Sequence, residues 1–92
     1  MEFPILREAV VIPNKAGLHA RPISQFVEIA SRFEASLSVA CNGKTVDGKS
    51  ILLLMTLEAG CGSELEFKGE GDDAKEMIGA LLDLVRAGFH ED

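Results

Sequence analysis

Tryptophan and tyrosine are absent from these 92 residues, and phenylalanine occurs only five times. Recognition of single-stranded nucleic acid by stacking bases on aromatic side chains therefore has little to work with. Basic residues are scarce as well: 9 stand against 15 acidic ones, for a formal net charge of -6. A phosphate-backbone binder needs a clustered basic face, and an anionic membrane surface selects for the same feature, so neither partner is expected. No apolar run approaches the roughly 20 residues needed to cross a bilayer. The start, Met1-Glu2-Phe3-Pro4, lacks the basic stretch and apolar run of a signal peptide, which makes the cytoplasm the expected location. Cys41 and Cys61 form no Cys-x-x-Cys pair, and His19 and His90 are not spaced to join them as metal ligands. Two reduced thiols and no metal site are expected.

What is present is an ordinary globular composition, 47% hydrophobic and 26% charged, with no repeat, linker or low-complexity segment. One domain over residues 1–92 is expected. Ile5 to Ile12 are rich in β-branched side chains and stop at Pro13, which predicts a strand. From Ala20 the period changes: Ile23, Phe26, Val27, Ala30 and Phe33 fall at helical spacing, leaving Arg21, Gln25, Glu28 and Arg32 for solvent. Leu37, Val39 and Cys41 then alternate with Ser36, Ser38 and Ala40. Asn42-Gly43 signals a hairpin whose return strand is Lys44 to Asp47. The apolar run Ile51 to Leu57 predicts a helix capped by Ser50 and ended by Gly60 and Gly62. Leu65 and Phe67 alternate with charged neighbours in a fourth strand. Asp72 or Asp73 caps a last helix carrying Met77, Ile78, Leu81, Leu82 and Val85 on one face, with Gly88 as C-cap. The order β-α-β-β-α-β-α suits an α+β two-layer sandwich, a four-stranded antiparallel sheet with three helices on one face.

One stretch, Asn14 to Pro22, is not explained by packing. Gly17 permits a sharp turn, and Pro22 is tolerated only in the first turn of a helix. Together they place His19 at or beside an N-cap, where unpaired backbone N–H groups and the positive pole of the helix favour a phosphate. The same pole disfavours a protonated ring, which keeps a nucleophilic lone pair on the imidazole. Arg21, two residues on, supplies a cation for the product. No P-loop, no paired acidic residues for Mg²⁺ and no second histidine as a base accompany it. Such a site can hold a phosphoryl group but not draw one from a nucleotide unaided. The plainer alternative is a polar helix-start residue beside a solvated arginine.

Gly17-Leu18-His19-Ala20-Arg21-Pro22 resembles the phosphohistidine signature of the HPr family, the histidine phosphocarriers of the bacterial phosphoenolpyruvate-dependent phosphotransferase system. Asn42 to Val46 is similar to that family's hairpin, Gly48-Lys49-Ser50-Ile51 to its serine-containing segment, and Gly69 to Asp73 to the entry of its last helix. The resemblance implies that His19 accepts a phosphoryl group on Nδ1 from enzyme I and passes it to a histidine of a IIA-type protein, with Arg21 neutralising the phosphate. It implies a monomeric relay without a cofactor, not a self-sufficient catalyst. It also implies docking through Leu18, Ala20, Ser24, Val27, Ile51 and Leu52. Ser50 matches the serine phosphorylated by an HPr kinase/phosphorylase in many members.

Two features bear on the branch. Leu53 stands where many sugar-system members have glycine, and Ala87 to Asp92 resembles the tail of the nitrogen-system branch, NPr. Both tilt the reading toward a nitrogen-type regulatory phosphorelay, with sugar uptake next. His90, in the acidic tail, is expected to be a solvated residue without a part in the chemistry. A different class remains: a non-covalent anion-sensing module in which His19 and Arg21 bind reversibly. An independent hydrolase is the weakest option, since the sequence shows no positioned base for the histidine.

Overall fold

The computed structural model describes residues 5–91, so the start read above for a leader lies outside the described residues, as does Asp92. Seven elements follow in the predicted order: β1 (Ile5–Val11), α1 (Ala20–Ala30), β2 (Ser36–Cys41), β3 (Lys44–Asp47), α2 (Ile51–Met55), β4 (Glu64–Glu70) and α3 (Ala74–Arg86). A 3₁₀ turn, Gly88–His90, closes the described chain. The sheet has the order β1-β4-β2-β3 and every neighbouring pair is antiparallel. Alternation along β2 and β4 sends Leu37, Val39, Leu65 and Phe67 into the core, and the register sets Val39 opposite both Phe67 and Val46.

Helix α3 covers β1 and β4, and α1 lies against α3 and α2. The two layers meet where Phe26 of α1 tilts against Phe67 of β4, ring centroids 5.5 Å apart. All five apolar residues predicted for the face of α3 are buried. Asn42 and Gly43 both adopt positive φ, 53° and 79°, as a two-residue hairpin requires. The two-layer α+β arrangement expected from the sequence is the observed one.

Three helix ends differ from expectation, each for a local reason. Helix α2 stops at Met55, not Leu57, because Glu58 reverses the chain at φ 50° just beyond the buried Leu57. Gly60 and Gly62 lie farther on, in the loop to β4. At the end of α3 the C-cap is Ala87, and Gly88 is the left-handed residue one position beyond it, φ 64°. Asp73 stands at the N-cap of α3, but its side chain makes no cap bond. Its two carboxylate oxygens instead accept the backbone N–H groups of Glu34 and Ala35, at 2.9 and 2.8 Å. Asp73 thus fastens the loop entering β2 to the start of α3.

The N–H of Glu34 above all, with that of Ala35, holds the Asp73 carboxyl below its ordinary value, against the opposing effect of burial. A depressed value in the folded state means stability that is present above the ordinary carboxylate range and lost as pH falls through the lowered value. Asp73→Asn should therefore lower the melting temperature at neutral pH, and the gap to the parent should narrow below about pH 4. Thermal melts across that range check it, and a gap independent of pH would assign the effect to shape instead of charge.

Candidate functional site

The position of His19 is set by two loops laced together. Ile12 donates its N–H to Ser63 O at 2.9 Å, and Leu18 donates to Ala59 O at 2.8 Å. Between them the turn from Asn14 closes with Gly17 N–H to Asn14 O, 3.1 Å. Gly17 has φ 71°, and a Cβ there would lie 2.7 Å from both Ala59 O and Gly60 Cα. Only glycine fits such an approach. Leu18, expected as a docking residue, is 8% exposed and joins the core, because its N–H bond to Ala59 turns the side chain inward. Its role is to anchor the residue that follows.

That residue, His19, is the N-cap of α1, with extended backbone (φ -109°) and no capping bond from its side chain. Its carbonyl accepts the N–H of Ile23 at 2.9 Å, so the helix starts as predicted. Pro22 has no N–H, leaving the first backbone donors of the helix to Ala20 and Arg21. The imidazole is 43% exposed and its Nε2 lies 3.1 Å from Glu91 Oε2 and 3.4 Å from Oε1. Asn14, only 6% exposed, donates from Nδ2 to Gly17 O at 2.9 Å and to Glu91 Oε1 at 3.0 Å. Arg21, Lys15, Gln25 and His90 line the same open hollow. An incoming phosphoryl group would find a nucleophilic ring, two exposed cations and the start of a helix in one place.

His19 and Arg21, paired by sequence, are thus brought together. Three further residues were not singled out. Asn14 and Lys15 lie within the unexplained stretch, and burial of the one and charge of the other were the signals available. Glu91 lies 72 positions from His19, and no spacing rule connects them. The sequence shows no positioned base for the histidine; in the fold the tail returns to the site and sets the Glu91 carboxylate against Nε2. His90 is exposed and shares the hollow.

Ser50 caps α2 as expected, its Oγ accepting the N–H of Leu53 at 3.2 Å. Beyond it Ile51, Leu52, Leu53 and Met55 are exposed, Leu52 at 77%. The helix that bears this apolar strip lies against α1, the helix that His19 begins. Ala20 and Ser24 are exposed and Val27 is half-buried. Both cysteines are free, Cys41 buried with its thiol pushed up by that burial, Cys61 exposed. Among the described residues no group of three His, Cys, Asp or Glu could hold a metal ion, and no helix is long and apolar enough to cross a membrane.

Comparison with known proteins converges on this geometry. The family described as PTS HPr component phosphorylation site matches residues 6–87. Phosphocarrier protein HPr of Neisseria meningitidis serogroup A is 40% identical over 87 residues, covering 95% of this chain and 98% of the relative. Phosphocarrier protein NPr of Shewanella violacea is 37% identical over 86 residues, covering 94% of each. The crystal structure of HPr-C-His from Thermoanaerobacter tengcongensis superposes with a TM-score of 0.90 at 40% identity, covering 95% of this chain and 98% of that one. A histidine at a helix start in an antiparallel α+β sandwich, matched along nearly its whole length by phosphocarriers, places the chain in the HPr family of the phosphotransferase system.

Proposed function

We propose that this single domain is a cytoplasmic, monomeric phosphoryl relay in which His19 takes a phosphoryl group from phospho-enzyme I and hands it to a histidine of a IIA-type protein. The observation that carries the reading is the placement of an exposed His19 at the N-terminus of α1, beside Arg21 and Lys15. Arg21 neutralises the transferred group; Lys15 adds a second cation. Neither replaces the partner, because the sequence has no phosphate-cradling loop and the described residues hold no metal-binding cluster to activate a nucleotide. The partner sits on Ala20, Ser24, Val27, Ile51 and Leu52, and covering a fully exposed Leu or Ile contributes about 2 kcal/mol. The tail and Leu53 favour a nitrogen-type acceptor over one of sugar uptake. Relatives of both names resemble the chain to a similar degree, so acceptor preference is decided by competing IIA proteins of the two kinds.

Incubation with enzyme I, Mg²⁺ and labelled phosphoenolpyruvate should place an acid-labile, alkali-stable label on His19. His19→Ala should abolish the label and keep the cooperative melt, since the side chain stands outside the core. Arg21→Ala should slow transfer by roughly tenfold without abolishing it, the scale of one lost charge-assisted contact. Equilibrium phosphate binding without label would instead favour the anion-sensing reading.

Ser50 serves as a regulatory site for an HPr kinase/phosphorylase in the same proposal. A carboxylate at position 50 still caps α2 but adds a charge at the edge of the apolar strip, which must be desolvated when the partner covers it. Ser50→Asp should bind enzyme I more weakly than the parent, with an unchanged or higher melting temperature. Ser50→Asn caps comparably without the charge. Equal affinity of the two variants for enzyme I, by titration calorimetry, would leave Ser50 as a helix cap alone.

A further inference from the structure

The His19 ring is held through two residues outside the phosphohistidine signature, Glu91 and Asn14. Glu91 reaches the ring from the far end of the sequence, and its carboxylate is only 18% exposed. One oxygen, Oε2, faces His19 Nε2 at 3.1 Å; the other, Oε1, accepts from Asn14 Nδ2 at 3.0 Å. Asn14 is itself fixed by its second bond, to Gly17 O. The approach of the tail is built, since Phe89 is buried and Gly88, Phe89 and His90 all carry positive φ, 64°, 57° and 60°. Two of these three bear side chains that disfavour this conformation, which persists only where surrounding packing enforces it.

We propose that Glu91 is a positioning residue for the phosphoryl acceptor, fixing the proton of the neutral imidazole on Nε2 so that the lone pair lies on Nδ1. The inference rests on the relay function of His19. A carboxylate can only accept, so the bond to Nε2 requires the hydrogen there, and a neutral imidazole has one N–H and one lone pair. A phosphoryl group on Nε2 would lie against the Glu91 carboxylate, charge against like charge. On Nδ1 it is turned from that carboxylate, and the cations lining the hollow are Lys15 and Arg21. In the transfer the Nδ1 lone pair forms the new P–N bond while the P–N bond of the donor phosphohistidine breaks. The released pair returns to the donor ring, which leaves as neutral imidazole when its other nitrogen carries a proton. The His19 ring gains positive charge, its Nε2 proton stays in place, and Glu91 stands opposite that charge. Asn14 positions Glu91 in turn.

The test reads the unphosphorylated protein and the reaction separately. With ¹⁵N-labelled histidine, long-range proton–nitrogen spectra of the neutral ring should show His19 protonated on Nε2, with a slowly exchanging proton. Glu91→Ala should raise the share protonated on Nδ1, speed exchange of the Nε2 proton, and lower kcat for phosphoryl acceptance roughly tenfold at little-changed KM, the cost of a misoriented reacting group. Glu91→Gln has one accepting oxygen for the two donors that the carboxylate serves, Asn14 Nδ2 and His19 Nε2, and should give a tautomer share between those of the parent and Glu91→Ala, with melting curves confirming that both variants fold. A parent ring protonated on Nδ1, or a Glu91→Ala protein with parental spectra and rate, overturns the assignment. Absence of label on parental His19 would defeat the relay reading instead, while a tautomer that still answers to Glu91 would uphold the positioning contact.

Discussion

The approach of Gly17 to the backbone of residues 59 and 60 is the constraint on which the site depends. It requires a residue without a Cβ and with positive φ, and it brings the Leu18 N–H onto Ala59 O. With Leu18 buried, the next residue must emerge from the core, and Pro22 fixes where the helix begins. His19 is therefore exposed and at a helix start because the seam joins residues 17 and 59 and Pro22 sets the first turn just beyond it. A side chain at position 17 would push on backbone atoms that have no freedom to yield.

The rest of the fold serves to hold that seam. The loop from residue 56 to 63 is fixed at one side by Leu57 and Ala59 in the core and at the other by pairing with Ile12. Strand β4 then runs between β1 and β2, so the loop cannot slide without breaking register on both sides. At the opposite end of the sheet Asp73 ties the entry of β2 to α3. A short α2 follows from the positive φ of Glu58, which turns the chain away just after the buried pair Leu54 and Leu57.

Much of this was legible because its causes are local. Alternation in β2 and β4, the apolar face of α3, Asn42-Gly43 and the Ser50 cap each depend on neighbours a few residues away, and each formed as read. Gly17 and Pro22 bracketed the start of α1 for the same reason. The misreadings involve long-range partners. Asp73 had a choice between capping its own helix and bonding a loop 38 residues earlier, and only the folded chain presents the second option. Leu18 was expected at the docking surface from the family resemblance, yet it is buried beside the backbone contact with Ala59. Glu91 was invisible, since a carboxylate in an acidic tail reads as solvated until buried Phe89 folds the tail back.

A relay must bind its phosphoryl group firmly enough to receive it and loosely enough to lose it. The hollow suits that demand. Its cations, Lys15 and Arg21, are exposed and screened by water, so each contributes less than a buried, desolvated pair would. The helix start adds dipole and N–H donors without covering the group. On the proposed relay reading, dehydration is left to the partner, which would cover the exposed apolar residues of α2, the helix packed against α1. Electrostatic stabilisation therefore strengthens when donor or acceptor covers the site and weakens when the carrier is alone, as reversible transfer between proteins requires. The ring, by contrast, already has its contacts in the free protein: Glu91, bonded to the buried Asn14, stands against the imidazole while the rest of the hollow is open to solvent.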